Sequence, residues 1–273
     1  MQGGRSRLIH GDQDHRARRL WSGVSRLFLL VIILSAGQLA RGSWAVDQTA
    51  RHALPADSNA LESLRGNFSQ WNFDGERAGM PPKGFSATTL GNAPPGAWRI
   101  EADSHAVSQP HLLRQVAPCP EVDCFQVLLA DGTKLEYPDF SVRLRASSES
   151  SGSAGVIINA KGSRDFYAVL VDLKSRRLEV LRVVEGKASV LGRGQIKPRQ
   201  DGWHHLRVQR NTILSKEFIE TAFDNKLVVS VEDKALGAGQ IGLVTRGEGV
   251  FEFDNAGAMP LYSQKPHSPP AAY

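Results

Sequence analysis

Several side chains in this sequence have the types and spacing that chemistry needs. Asp172 and Glu179 flank the segment Leu173-Lys174-Ser175-Arg176. A hairpin there would set two carboxylates face to face, as a general acid and base require. The same spacing also fits one carboxylate at a turn and one on a solvated face. Arg143, Arg145, His205 and Arg207 alternate with apolar residues, so each set belongs to one face of a strand. With Tyr167 they would make a polar, cationic outer face able to grip an anion through guanidinium forks, although an ordinary solvated sheet face has the same pattern. His204 and His205 follow Trp203, but consecutive strand residues point to opposite faces, so the two rings do not readily hold one ion. His204 is expected inside with Leu206, and His205 outside with Arg207. No Gly-x-Ser-x-Gly nucleophile elbow is present, and Gly192-Arg193-Gly194 reads as a turn rather than a phosphate loop.

The cysteines are Cys119 and Cys124. Two sulfurs without a histidine pair at matching spacing do not build a zinc site, and the haem signature Cys-x-x-Cys-His is absent. A local disulfide is the leading assignment if the chain reaches an oxidising compartment. The N-terminus points there. Of 33 basic and 28 acidic residues, seven arginines and two aspartates lie in the first 45 residues, leaving 26 of each sign in the remainder. The basic balance therefore belongs to a leader, and the neutral remainder removes the electrostatic case for nucleic acid. Leu27-Phe28-Leu29-Leu30-Val31-Ile32-Ile33-Leu34 is about half of a membrane span, and Ser43-Trp44-Ala45 places small residues at a cleavage site. Residues 1–45 are expected to be a signal peptide, the alternative being an uncleaved anchor and the only membrane contact. The mature protein would be periplasmic or secreted.

The elements that must position the chemical groups are strands. Residues 46–66 read as a linker, residues 67–261 as one domain and residues 262–273 as a disordered tail. Within the domain about a dozen short runs alternate with Gly, Pro, Asn and Asp turns, with hardly any helical period. Examples are 139–146, 166–172 paired with 177–184, 203–208, and 218–223 paired with 227–231 across Asp224-Asn225. Residues 239–245 and 250–255 read as a closing hairpin. The fold class is all-β, a two-sheet antiparallel β-sandwich.

The ordered series Trp98-Arg99-Ile100, Tyr137-Pro138-Asp139-Phe140, Gly155-Val156-Ile157-Ile158, Phe166-Tyr167, Arg177-Leu178-Glu179-Val180, Trp203-His204-His205-Leu206, Gly239-Gln240-Ile241-Gly242-Leu243 and Phe253-Asp254-Asn255 resembles concanavalin A-like jelly rolls. The likeness is to the laminin-G and 3-keto-disaccharide hydrolase type. It implies a curved sandwich whose concave face often meets sugars. It also implies first and last strands side by side, where Asp74 and Asp254 could hold calcium or cap strand ends through backbone N–H groups. The Glu-x-Asp-x-x-Glu strand of laminarinase-type relatives is not matched: the nearest segment, Glu101-Ala102-Asp103-Ser104-His105-Ala106, ends in alanine. The expectation is therefore a non-catalytic domain that binds carbohydrate or a cell-envelope partner. Hydrolysis of glycosidic bonds and a structural protein-contact module stand as alternatives.

Overall fold

The computed structural model describes residues 68–117, 119, 121, 124–147, 150–199 and 202–261. The expected leader, linker and tail lie outside the described residues. The strands are β1 (Ser69–Trp71), β2 (Phe85–Leu90), β3 (Trp98–Ala102), β4 (His111–Gln115), β5 (Phe125–Ala130), β6 (Pro138–Ala146), β7 (Ser151–Ala160) and β8 (Phe166–Asp172). They continue with β9 (Arg177–Val184), β10 (Lys187–Gln195), β11 (His204–Ile213), β12 (Lys216–Phe223), β13 (Lys226–Glu232), β14 (Gln240–Glu248) and β15 (Phe251–Pro260).

They form two antiparallel sheets. The first has the order β13-β12-β11-β6-β15-β4-β3, with β1 on the free part of β15. The second has the order β10-β9-β8-β7-β14-β5-β2. Between them lies the main core, which includes Ile100, Leu113, Phe140, Val142, Leu144, Val156, Val169, Val180, Leu206, Leu243 and Phe253. The first sheet alternates apolar-in and polar-out, as a sheet with one solvated face must.

The second sheet does not alternate. Phe125, Val127, Ile157, Phe166, Ala168, Leu170, Leu181, Val183 and Val244 form another buried apolar cluster on its opposite face. Phe125 and Phe166 meet edge-on, with centroids 5.9 Å apart. Their strands, β5 and β8, are three places apart in the sheet order, about 14 Å in a flat sheet. The rings meet by leaning toward each other over β7 and β14, so this face carries its own apolar layer.

Turn chemistry fixes the hairpins of the first sheet. Leu214 and Ser215 join β11 to β12, and Asp224 and Asn225 join β12 to β13; all four have positive φ. Two consecutive left-handed residues give the turn whose twist matches paired strands. The expected closing hairpin is not formed. β14 pairs with β5 and β7 in one sheet, whereas β15 pairs with β4, β6 and β1 in the other. Two alternating apolar runs around a glycine turn look the same whether the turn closes a hairpin or crosses between sheets.

Candidate functional site

The second sheet carries a cleft of about 470 Å³ on the face turned away from the main core. Its floor is apolar: Leu181 on β9 and Ala188 and Val190 on β10. Its working groups are Ser153, Asp172, Arg177, Glu179, Arg193 and Arg246. Register brings them together. Arg193 stands opposite Glu179 across β10 and β9, and Arg246 opposite Ser153 across β14 and β7. The first match depends on a bulge between Val190 and Gly192. Without that extra residue Gly192 would face Glu179. The turn expected at Gly192-Arg193-Gly194 is thus a continuation of β10.

Glu179 is the hub. Its Oε1 accepts from Arg193 Nε at 2.8 Å, its Oε2 accepts from Arg246 Nη2 at 3.2 Å, and Arg177 Nε lies 3.5 Å away. Burial opposes its charge, but hydrogen bonds from Arg193 and Arg246 and the nearby cations outweigh it and hold the carboxyl below the ordinary glutamate value. Ser153, only 4% exposed, has no hydrogen-bond partner for Oγ. Asp172 does not face Glu179 as the expected hairpin pairing had it. The register pairs Asp172 with Arg177 and Glu179 with Leu170, and Asp172 Oδ1 accepts from Ser175 N at 2.8 Å within the turn.

One wall of the cleft is the cysteine loop, which contributes Glu121. Cys119 and Cys124 form the expected disulfide. Cys119 N donates to Gly247 O at 2.9 Å and Gly247 N donates back to Cys119 O at 3.0 Å, tying the loop to the end of β14.

The outer face of the first sheet collects four of the five anticipated ligand residues. Arg143 pairs in register with His205, and Arg145 and Arg207 lie on the same face. This face is charge-compensated rather than cationic. Arg145 is ion-paired with Glu252 and Asp103, and its guanidinium lies 4.6 Å from the Trp203 ring centroid. Arg207 donates twice to Asp139, at 2.8 and 2.5 Å. Burial first, and then the charges of Arg143 and Arg207, depress the His205 pKa. Sequence alternation located the arginines but could not pair them with acids on neighbouring strands.

Tyr167 is not on this face. It lies in the other sheet, fully buried against the main core, with its hydroxyl donating to Asp233 Oδ1 at 2.5 Å and accepting from Leu236 N at 3.0 Å. Burial and the Asp233 carboxylate push its pKa up to about 12. In β8 the run Phe166-Tyr167-Ala168-Val169-Leu170-Val171 is apolar on both faces, so alternation carries no signal for which way Tyr167 points.

β1 and β15 do run side by side. Asp254, fully buried, accepts from Ser108 N at 2.8 Å and Asn255 N at 2.7 Å, and from Ser108 Oγ at 3.2 Å. Burial raises its pKa despite these bonds. Asp74 Oδ1 accepts from His111 N at 3.2 Å. Asp254 ties the segment between β3 and β4 to β15, and Asp74 ties the turn after β1 to the first residue of β4. Among the described residues no three His, Cys, Asp or Glu side chains gather as a metal site. His204 packs inward, stacked on Phe223 at 5.0 Å, with Nδ1 2.9 Å from Asp224 Oδ2.

Neither a family model nor a curated protein sequence matches the chain. Among solved structures, the carbohydrate-binding module CBM66 from Bacillus subtilis superposes with a TM-score of 0.50 at 16% identity, covering 67% of this chain and 98% of that one. The likeness is one of fold, a two-sheet antiparallel β-sandwich of the jelly-roll kind. The carbohydrate recognition domain of Emp47p gives a TM-score of 0.48 at 10% identity, covering 71% of this chain and 97% of that one. A protein of unknown function with a galectin-like fold from Bacillus subtilis gives 0.48 at 11% identity, covering 63% and 88%. At these identities the likeness bears on the fold of the jelly roll, and the ligand must be argued from its own residues.

Proposed function

We propose that this jelly roll is an exported, non-catalytic carbohydrate-binding domain spanning residues 67–261, with its ligand seat in the cleft of the second sheet. The observation that carries the reading is the cleft itself. An apolar floor lies beside guanidinium, carboxylate and hydroxyl groups on rigid strands, the mixture that a sugar ring with its C–H face and its hydroxyls requires. The carboxylates suit binding better than hydrolysis. Glu179 is held ionised by its arginines and cannot deliver a proton as a general acid near neutral pH. Asp254 is enclosed by donors. A disulfide at the cleft wall suits an oxidising compartment.

The test is a glycan array with the full-length protein, run beside a screen for released reducing ends on glycosidic substrates, 3-keto-glycosides included. Retention of at least one glycan class without bond cleavage is expected. Cleavage would overturn the non-catalytic reading, and no retention on any glycan would overturn carbohydrate binding.

A further inference from the structure

Resting on that reading, the geometry points to a sugar unit bearing a carboxylate, a uronate of an acidic polysaccharide, as the occupant of the cleft. The argument is one of unmatched donors. Arg177, Arg193 and Arg246 surround Glu179. Each guanidinium carries five N–H donors and no acceptor, whereas a carboxylate has about four lone-pair sites. One glutamate therefore leaves most of the donors to other acceptors. The Arg177 and Arg193 side chains are 43% and 58% exposed, so their remaining donors are accessible, while the Glu179 side chain is 9% exposed. The other acids lining the cleft are Asp172, whose Oδ1 accepts from Ser175 N within its own turn, and Glu121; with Glu179 these three carboxylates have about twelve lone-pair sites against about fifteen guanidinium N–H donors.

A neutral sugar offers hydroxyl oxygens singly and leaves each fork half matched. A carboxylate is planar and takes two parallel N–H bonds from one guanidinium. Ser153 is the second and independent observation. It lines the cleft, is nine-tenths buried, and its Oγ lacks a partner. A buried hydroxyl left unpaired is costly, and a sugar hydroxyl beside the carboxylate would satisfy it. Leu181, Ala188 and Val190 would take the apolar face of the ring. The cleft of about 470 Å³ falls within the roughly 300–1,000 Å³ typical of small-ligand sites.

The experiment measures affinity of the full-length protein for oligogalacturonate, for neutral dextran and xylan oligosaccharides, and for dextran sulfate, at low and high salt. Oligogalacturonate is expected to bind best and to weaken with salt. Arg193→Ala and Ser153→Ala are each expected to lower its affinity about fivefold or more. Equal affinity for neutral oligosaccharides would overturn the acidic-sugar class while leaving carbohydrate binding intact. Stronger retention on dextran sulfate would show charge without carboxylate geometry and overturn it too. Uronate binding untouched by either substitution would put the seat elsewhere. Silence on every glycan would sink both readings. Arg193 is more than half exposed but bonds Glu179, so the affinity of its variant is read well below that variant's own thermal midpoint, and it decides the matter if Ser153→Ala destabilises the fold.

Discussion

Glu179 and Tyr167 are two buried polar groups with opposite duties. Glu179 gathers three arginines at the ligand face. Replacing it with glutamine removes the charge that holds them together. The expected cost is about 1–3 kcal/mol, read as a lower thermal midpoint, with the arginine donors less well ordered for ligand. Its pH signature has a definite sign. A carboxyl whose folded pKa is depressed contributes stability above its unfolded value and loses it as pH falls through the depressed folded value. Glu179 and Asp103 are both depressed, so the parent's midpoint should fall as pH drops below about 4.5, the ordinary glutamate value, and Glu179→Gln should flatten that fall. Asp254 is raised and works in the other sense, its contribution being present when protonated and lost as pH rises. Tyr167→Phe leaves Asp233 and Leu236 N short of a partner. It should cost about 1–3 kcal/mol by denaturant melt and leave glycan affinity unchanged. Legibility at this scale was uneven. The arginines of β6 and β11 could be read from alternation, because that sheet has one wet face. Tyr167 and Ser153 could not, because their strands are apolar on both faces and no period separates inside from outside.

At the scale of elements, strand positions and the two local pairings, β8 with β9 and β12 with β13, were legible, and the partners of the last two strands were not. Runs such as β6, β8, β9 and β12 carry their own pattern, whereas the bulge in β10 that delivers Arg193 to Glu179 leaves no mark in composition. Two elements frame the cleft and make separate predictions. The Cys119–Cys124 loop closes a short ring, worth about 2 kcal/mol in the chain-entropy model. Replacing both cysteines with serine should lower the thermal midpoint and also weaken glycan binding, since the loop is a wall of the site. A loss of stability with unchanged affinity would detach the loop from the ligand. Gly152 adopts φ +137° where β7 meets β14, and a Cβ there would fall 2.2 Å from Arg246 O. Gly152→Ala should therefore part the strands that carry Ser153 and Arg246, at a cost of about 1–3 kcal/mol, seen as a lower midpoint and poorer retention on the glycan column.

At the scale of the whole molecule the organising fact is where the last two strands go. β14 lies between β7 and β5 in the middle of one sheet, and β15 lies between β6 and the pair β4 and β1 in the middle of the other. The aspartate that ends the Phe-Glu-Phe-Asp run is a fastening point there, and the groups of the proposed ligand seat sit across the sandwich on the second sheet. Neither sheet is whole until β14 and β15, the last 22 residues of the domain (240–261), have arrived, because the strands made first have a gap where their neighbours belong. Pairings this remote in sequence are slow to form. A domain emerging N-terminus first stays open until β14 and β15 arrive, and an early stop just before β14 should give a protease-sensitive polymer with no cooperative melt. The architecture postpones its own closure until its last two strands have been made.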